Sequence, residues 1–480
     1  MSPGHPLDDI FMPRSIAVVG VSTNELRESI AGWVPRLLSF GYEGQIYPIN
    51  PRASEIMGMT AYPSVRAIPH PVDYAIFNIP ARSTPEAMAD CAARGVKGVH
   101  CFTAGFAETG RDEGRALERE LTRIAREGGV RVIGPNCMGV YCPRGRLSFY
   151  PTFSPEVGNV GMLAQTGAGT IRLVSQANHR GITFSKVISY GNACDLDAPE
   201  LIGYLAQDAD TEVIACYIEG VNDGRAFLQA VRECSRRKPV VVLKAGATES
   251  GAQAAASHTA SLAGSAQAWR SFFRQSGAIA VEGLEEMVDT LVALRLVRCP
   301  RGPRVGIVGR GGGIGVIAAD ICERVGLTVP AFSAETRERL AAINPEAGAS
   351  VRNPVETALG LAGASQFYRE GLALVDADPG IDLIISHIGL DVYGGWGPSL
   401  AEQLGETVGI LIEEAQTLEK PVALVLYAGH RPDAIEAVAQ AQERCREAGL
   451  ALFYSMEGAA RAVSNIIRYH AFLDEGEGVS

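Results

Sequence analysis

Val160-Gly-Met-Leu-Ala-Gln-Thr-Gly-Ala-Gly-Thr170 is a short apolar run that breaks into a polar, glycine-containing turn, and the helical run Ile171–Asn178 follows at once. Strand, small-residue turn, helix is the repeating unit of parallel α/β sheets. The same alternation extends in both directions. Upstream, the candidate strands are Ile16–Val21, Gln45–Ile49, Tyr74–Ile79, Gly98–Phe102 and Arg131–Ile133. Around the quoted stretch, Val160–Ala164 is joined by Thr183–Ser189, Val213–Glu219, Pro239–Leu243 and Ala278–Val281. Downstream come Val305–Val308, Leu383–His387, Val422–Tyr427 and Ala451–Tyr454. Two irregular stretches separate these groups, the proline-rich Tyr141–Pro155 and Arg298-Cys-Pro-Arg-Gly-Pro-Arg304. The simplest count is three doubly wound α/β domains, over residues 1–145, 156–297 and 303–475.

Composition narrows the function classes. At 480 residues the chain is too long for one hydrophobic core. A net charge of −11 without a strongly basic block argues against a nucleic-acid partner. The 10 cysteines form no Cys-x-x-Cys pair, as expected of reduced thiols in the cytoplasm. The start, Met1 to Ser15, lacks the basic-then-apolar pattern of a secretion signal. No run approaches the roughly 20 apolar residues that span a bilayer. A cytoplasmic protein with no membrane partner is expected.

In doubly wound sheets ligands sit beyond the carboxyl ends of the strands, so those exits carry the functional reading. The first exit is Val18-Val-Gly20-Val21-Ser22-Thr23, in which Gly20 alone remains of a dinucleotide fingerprint. The second ends Asn50-Pro-Arg52, with an arginine where NAD binding needs a carboxylate. Arg52 suits a nucleotide with a phosphate on its ribose, such as NADP or coenzyme A, or is simply solvated. Asn78-Ile-Pro80, Thr103-Ala104-Gly105-Phe106 and Gly134-Pro-Asn-Cys137 are further tight exits, and together they suggest a cleft.

The second group carries more chemistry. Thr166, Gly167 and Ala168 open a helix, where backbone amides either hold an anion or are capped by the Thr166 hydroxyl. Neighbouring exits are Ser189-Tyr190-Gly191-Asn192, Tyr217-Ile-Glu219-Gly220 and Lys244. From Lys244 the chain runs through a loop of small residues containing His258. Alone, His258 reads as an incidental surface imidazole. Beside a carboxylate and an anion-binding turn it reads as a phosphoryl carrier. The third group has Gly311-Gly-Gly-Ile-Gly315 but no Gly-Lys-Ser/Thr ending, so direct Walker-type binding of ATP is not expected. Glu356, in Asn353-Pro-Val-Glu, is expected in solvent. No metal-ligand cluster is read.

The ordered set Ile46-Tyr-Pro-Ile-Asn-Pro51, Gly134-Pro-Asn136, Ala164-Gln-Thr-Gly167, Ser189-Tyr-Gly-Asn192, Tyr217-Ile-Glu-Gly220, Lys244-Ala-Gly246 and Ser257-His-Thr259 resembles the NDP-forming acyl-CoA synthetases, the superfamily of succinyl-CoA ligase and ADP-forming acetyl-CoA synthetase. The resemblance is to the α subunit or α part and covers nearly the whole chain. It implies a Rossmann-like CoA-binding domain followed by two flavodoxin-like domains. It also implies His258 as the phosphorylated histidine, Glu219 as its hydrogen-bonding partner, and Thr166, Gly167 and Ala168 as the phosphate site. Gly20, Val21, Ser22, Thr23, Arg52, Pro80, Thr103, Ala104 and Gly105 match CoA-contacting loops. Tyr190, Gly191 and Asn192 fall at the acyl pocket.

The implied activity is an ADP-forming acid–CoA ligase using CoA and ATP, with Mg2+ on the nucleotide. The sequence departs from the family pattern at Ala164, Tyr190 and Glu356, and none of these removes the catalytic set. Tyr190 raises the option of an aryl acid in place of a small aliphatic one. No stretch is left for an ATP-grasp domain, so a separate ATP-grasp β subunit is expected as partner. Two rival readings are a non-catalytic CoA-binding regulatory protein and an NADP-dependent reductase.

Overall fold

Strands that are covered on both faces read as unbroken apolar runs, and this is why the strands were legible. In the computed structural model, Ser15–Val19, Val160–Ala164 and Val240–Lys244 are buried at every position. The structure describes residues 5–23, 32–253, 265–310, 312–344, 350–357, 361–390, 400–428 and 432–477.

The first sheet runs Gln45–Ile49, Ser15–Val19, Tyr74–Phe77, Gly98–Cys101, Arg131–Ile133, all parallel. The second runs Ile279–Val281, Val240–Lys244, Val213–Ile218, Val160–Ala164, Phe184–Ser189, Gly139–Tyr141, parallel except for the last pair. The third runs Val355–Thr357, Val305–Arg310, Leu383–Gly389, Val422–Tyr427, Ala451–Phe453, again parallel. Numbered along the chain, the parallel strands of all three sheets follow the flavodoxin order 2-1-3-4-5, which places the switch point between the first and third strands.

Three short pairings escaped the sequence reading. Gly139–Tyr141 lies antiparallel on Phe184–Ser189, so the chain crosses to the second sheet before the irregular stretch begins. Glu55–Ile56 and Met59–Thr60 form a hairpin whose turn puts Met57 and Gly58 at positive φ, without the usual Asn-Gly signal. Val355–Thr357 is the edge strand of the third sheet.

The chain forms two units, Met1–Glu282 and Gly283–Ser480. Within the first, Arg131 ties the first sheet to the second through Asp195 (2.9 Å) and Glu200 (2.7 Å). Tyr204 stacks on Phe11 at 4.8 Å and donates to Asp8 at 3.0 Å. The helix Leu284–Leu296, grouped by sequence with the second sheet, packs on Met456–Glu477 in the second unit. No described helix is long and apolar enough to cross a membrane.

Candidate active site

The exits of the first sheet enclose a cleft of about 590 Å³ lined by Gly20, Val21, Ser22, Thr23, Arg52 and Pro80 among others. Gly20 has φ +97°, and a Cβ there would meet the Asn78 carbonyl oxygen at 2.3 Å. Only glycine lets the first and third strand exits approach so closely. The Asn50 amide donates to the Val21 carbonyl at 2.8 Å, and its oxygen accepts from the Arg52 amide at 2.8 Å. This Asx turn leaves Arg52 exposed where it lines the cleft. Thr103, Ala104 and Gly105 do not line the cleft, but Thr103 braces it. The Thr103 hydroxyl donates to the Ile79 carbonyl at 2.7 Å, beside Pro80.

At the switch point of the second sheet, the Gln165 side-chain oxygen accepts from the Glu219 amide (2.6 Å) and the Gly220 amide (3.0 Å). It thereby joins the first and third strand exits. Next to it, Gly167 caps the helix Ala168–His179, and the Thr166 hydroxyl accepts from the Gly169 amide at 3.3 Å. The Thr166 hydroxyl thus occupies one helix-start amide, while Ala168 is exposed to solvent. Glu219 is 5% exposed and Lys244, on the adjoining strand, 7%. Burial lowers the Lys244 ammonium pKa, and the Glu219 charge opposes that shift. The ammonium also sits 5.3 Å from the Trp269 ring centre.

Sequence reasoning missed Tyr217. It precedes Glu219, the residue just past the strand Val213–Ile218, by two positions and hydrogen-bonds its side chain. Burial pushes its phenol up to about 12, with the charge and hydrogen bond of Glu219 adding to the shift. The i, i+2 spacing was the available signal.

Tyr190 is 1% exposed, and burial holds its phenol well above the usual value. It is a core side chain and not a ring-stacking surface. Gly191 has φ +51° and packs on the Pro135 carbonyl, where a Cβ would lie 2.3 Å away. The Asn192 side-chain amide is engaged by Glu108 and Glu118 of the first sheet's connections. Gly191 and Asn192 thus form a joint between the two sheets. His258 falls within residues 254–264, outside the described residues; Gln253 and Ser265 flank that segment.

In the second unit, Glu356 is 5% exposed and its carboxylate accepts the Gly315 amide. This corrects the expectation of a solvated side chain: the glycine-rich start of the helix Gly312–Arg324 admits the carboxylate, since a Cβ on Gly315 would lie 1.7 Å from it. Among the described residues, no group of three His, Cys, Asp or Glu side chains converges to hold a metal ion.

Residues 14–143 match the CoA binding domain family, and residues 157–294 match the succinyl-CoA ligase like flavodoxin domain. The α subunit of acetate–CoA ligase (ADP-forming) II from Pyrococcus furiosus is 36% identical over 96% of this chain and 97% of its own length. The chain belongs to the NDP-forming acyl-CoA synthetases. A second relative in these synthetases, acetate–CoA ligase (ADP-forming) I of Archaeoglobus fulgidus, is 36% identical over 96% of this chain. The chain spans only 64% of that relative's length. A dinucleotide-forming acetyl-coenzyme A synthetase 1 from Ca. Korarchaeum cryptofilum, solved with phosphate and ADP, has a TM-score of 0.82 and 32% identity, covering 98% of each chain.

Proposed function

We propose that the chain is the α-type component of an ADP-forming acid–CoA ligase. The observation that carries this reading is the cluster at the switch point of the second sheet. There Gln165 joins the Thr166 helix start to Glu219, and Lys244 ends the strand that leads into the His258 segment.

In the proposed cycle an imidazole nitrogen of His258 attacks the γ-phosphorus of ATP, forming an N–P bond and releasing ADP. A substrate carboxylate oxygen then attacks that phosphorus, giving an acyl phosphate and freeing the imidazole. The CoA sulfur attacks the acyl carbon, the thioester forms and inorganic phosphate leaves. Glu219 orients the ring and stabilises its cationic form, while the amides of Gly167 and Ala168 face the phosphoryl oxygens. CoA occupies the first cleft, with Arg52 toward a phosphate and the Gly20–Thr23 turn along the backbone of the ligand. A small carboxylic acid is the favoured substrate, because a Tyr190 enclosed in the core offers no exposed ring face for an aryl acid. ATP with Mg2+ is delivered by a separate ATP-grasp β subunit, in line with the α-subunit relative.

Incubation with ATP, Mg2+ and an ATP-grasp partner is expected to place acid-labile phosphate on the wild-type chain and none on His258→Asn. A hydrogen bond to a charged group is worth about 1.5–3 kcal/mol. Glu219→Gln is therefore expected to slow loading by about 10- to 100-fold. Equal labelling of wild type and His258→Asn would overturn the reading.

A further inference from the structure

The joint between the first two sheets is directional. The Asn192 side-chain nitrogen donates to Glu108 at 2.6 Å and to Glu118 at 2.7 Å. A primary amide has two hydrogens, so one side chain serves both carboxylates. On its far side Glu108 accepts the backbone amides of Gly105 (2.5 Å) and Phe106 (3.1 Å). Glu118 accepts the Ala107 amide at 3.4 Å. Three successive amides of the loop behind the first cleft are thus held by two carboxylates, and one amide from the second sheet holds both. The Asn136 backbone, which donates to the Thr103 carbonyl at 2.9 Å, closes the same loop from below.

The chemistry selects asparagine. Aspartate would bring a third negative charge against two carboxylates, and serine has one hydrogen to give. Burial raises the Glu118 carboxyl pKa and the Glu108 charge adds to that shift, while the Asn192 hydrogen bond opposes it.

We propose that Asn192 is a positioning residue, which through Glu108 and Glu118 sets the loop from Thr103 to Ala107 behind the CoA cleft from the turn that follows Tyr190. The inference rests on the assignment of the first cleft to CoA.

The test is calorimetric titration of CoA into the full chain, paired with thermal unfolding and amide hydrogen exchange. Loss of one charge-assisted bond in each arm predicts that Asn192→Ala and Asn192→Asp weaken CoA by about tenfold. Exchange is expected to quicken at residues 105–107 while protection elsewhere is kept. Reversing the polarity in Glu108→Gln/Glu118→Gln/Asn192→Asp lets both introduced amides donate to the new carboxylate, while the side-chain oxygen at position 108 still accepts the Gly105 and Phe106 amides and only the long Ala107 contact is given up. Affinity is then expected to return. A lowered melting temperature in Asn192→Asp with CoA affinity and loop exchange unchanged would show a purely structural joint and overturn the proposal. If the triple variant does not fold, loop exchange in Asn192→Asp decides by itself. Failure of the wild-type chain to bind CoA would overturn the cleft assignment and this proposal with it, a result distinct from wild-type binding that Asn192→Asp leaves intact.

Discussion

Gly20 shows at single-residue scale why one glycine of a dinucleotide fingerprint persists while the others are absent. Its φ of +97° and the Asn78 carbonyl 2.3 Å from a would-be Cβ leave no room for a side chain. Gly20→Ala is expected to cost about 1–3 kcal/mol through backbone strain. Denaturant unfolding checks it, and an unchanged midpoint would refute the close approach. Glu356 had no comparable signature, because a carboxylate after Asn-Pro-Val reads as solvent-facing until the helix start at Gly312–Gly315 that receives it is seen. Its carboxyl pKa is raised by burial, against the opposing effect of the Gly315 amide. A raised carboxyl favours the protonated fold, so its stabilising contribution is present below the unfolded value of about 4.3 and is lost as pH rises through the folded value. Glu356→Gln, which can still accept the Gly315 amide, is expected to raise the melting temperature at neutral pH and to match the wild type in acid. A gain that is equal at both pH values would count against that sign.

Among elements, legibility followed burial and length. Strands of four or more residues with both faces covered were read to within two residues at their ends. The three-residue Arg131–Ile133, Ile279–Val281 and Ala451–Phe453 were read as well, whereas Gly139–Tyr141, which follows Arg131–Ile133 with no helix between, and Val355–Thr357, which carries Glu356 at its centre, were missed. Lys186 was equally silent, a lone cation inside the apolar strand Phe184–Ser189. It is 3% exposed, lies 2.8 Å from Asp208 at the end of the helix Ala198–Gln207, and sits 5.7 Å from the Tyr204 ring centre. Asp208 also accepts the Thr211 hydroxyl at 2.6 Å. This pair pins the helix to the sheet at the end opposite the candidate site. Asp208→Asn would leave a buried ammonium without its counter-charge, at an expected cost of about 3–5 kcal/mol. Its effect should appear in unfolding free energy with little change in CoA affinity, and a loss below about 1 kcal/mol, as for an exposed pair, would reclassify the contact.

For the whole molecule, three sheets of one strand order make the switch points predictable, and both candidate sites of the first unit fall at them. The sequence could place those exits, and it grouped the helix Leu284–Leu296 with the second sheet, whereas the structure packs that helix within the second unit. Its apolar residues fit either sheet by pattern, and only packing decides. Met287, Val288, Leu291 and Val292 are each no more than 3% exposed, and the helix packs along Met456–Glu477. Fully burying such a side chain contributes about 1.5–3 kcal/mol, so detaching the helix from that partner exposes a strongly favourable contact. A fragment of residues 1–282 is therefore expected to unfold in one cooperative transition and to keep the CoA affinity of the full chain. Extension to residue 297 carries the helix without its partner and should add an exposed apolar face that promotes self-association. Calorimetry and size-exclusion chromatography on the two fragments test this. If the longer fragment is monomeric and melts higher, the helix belongs with the second sheet after all, and the boundary between the units lies beyond it.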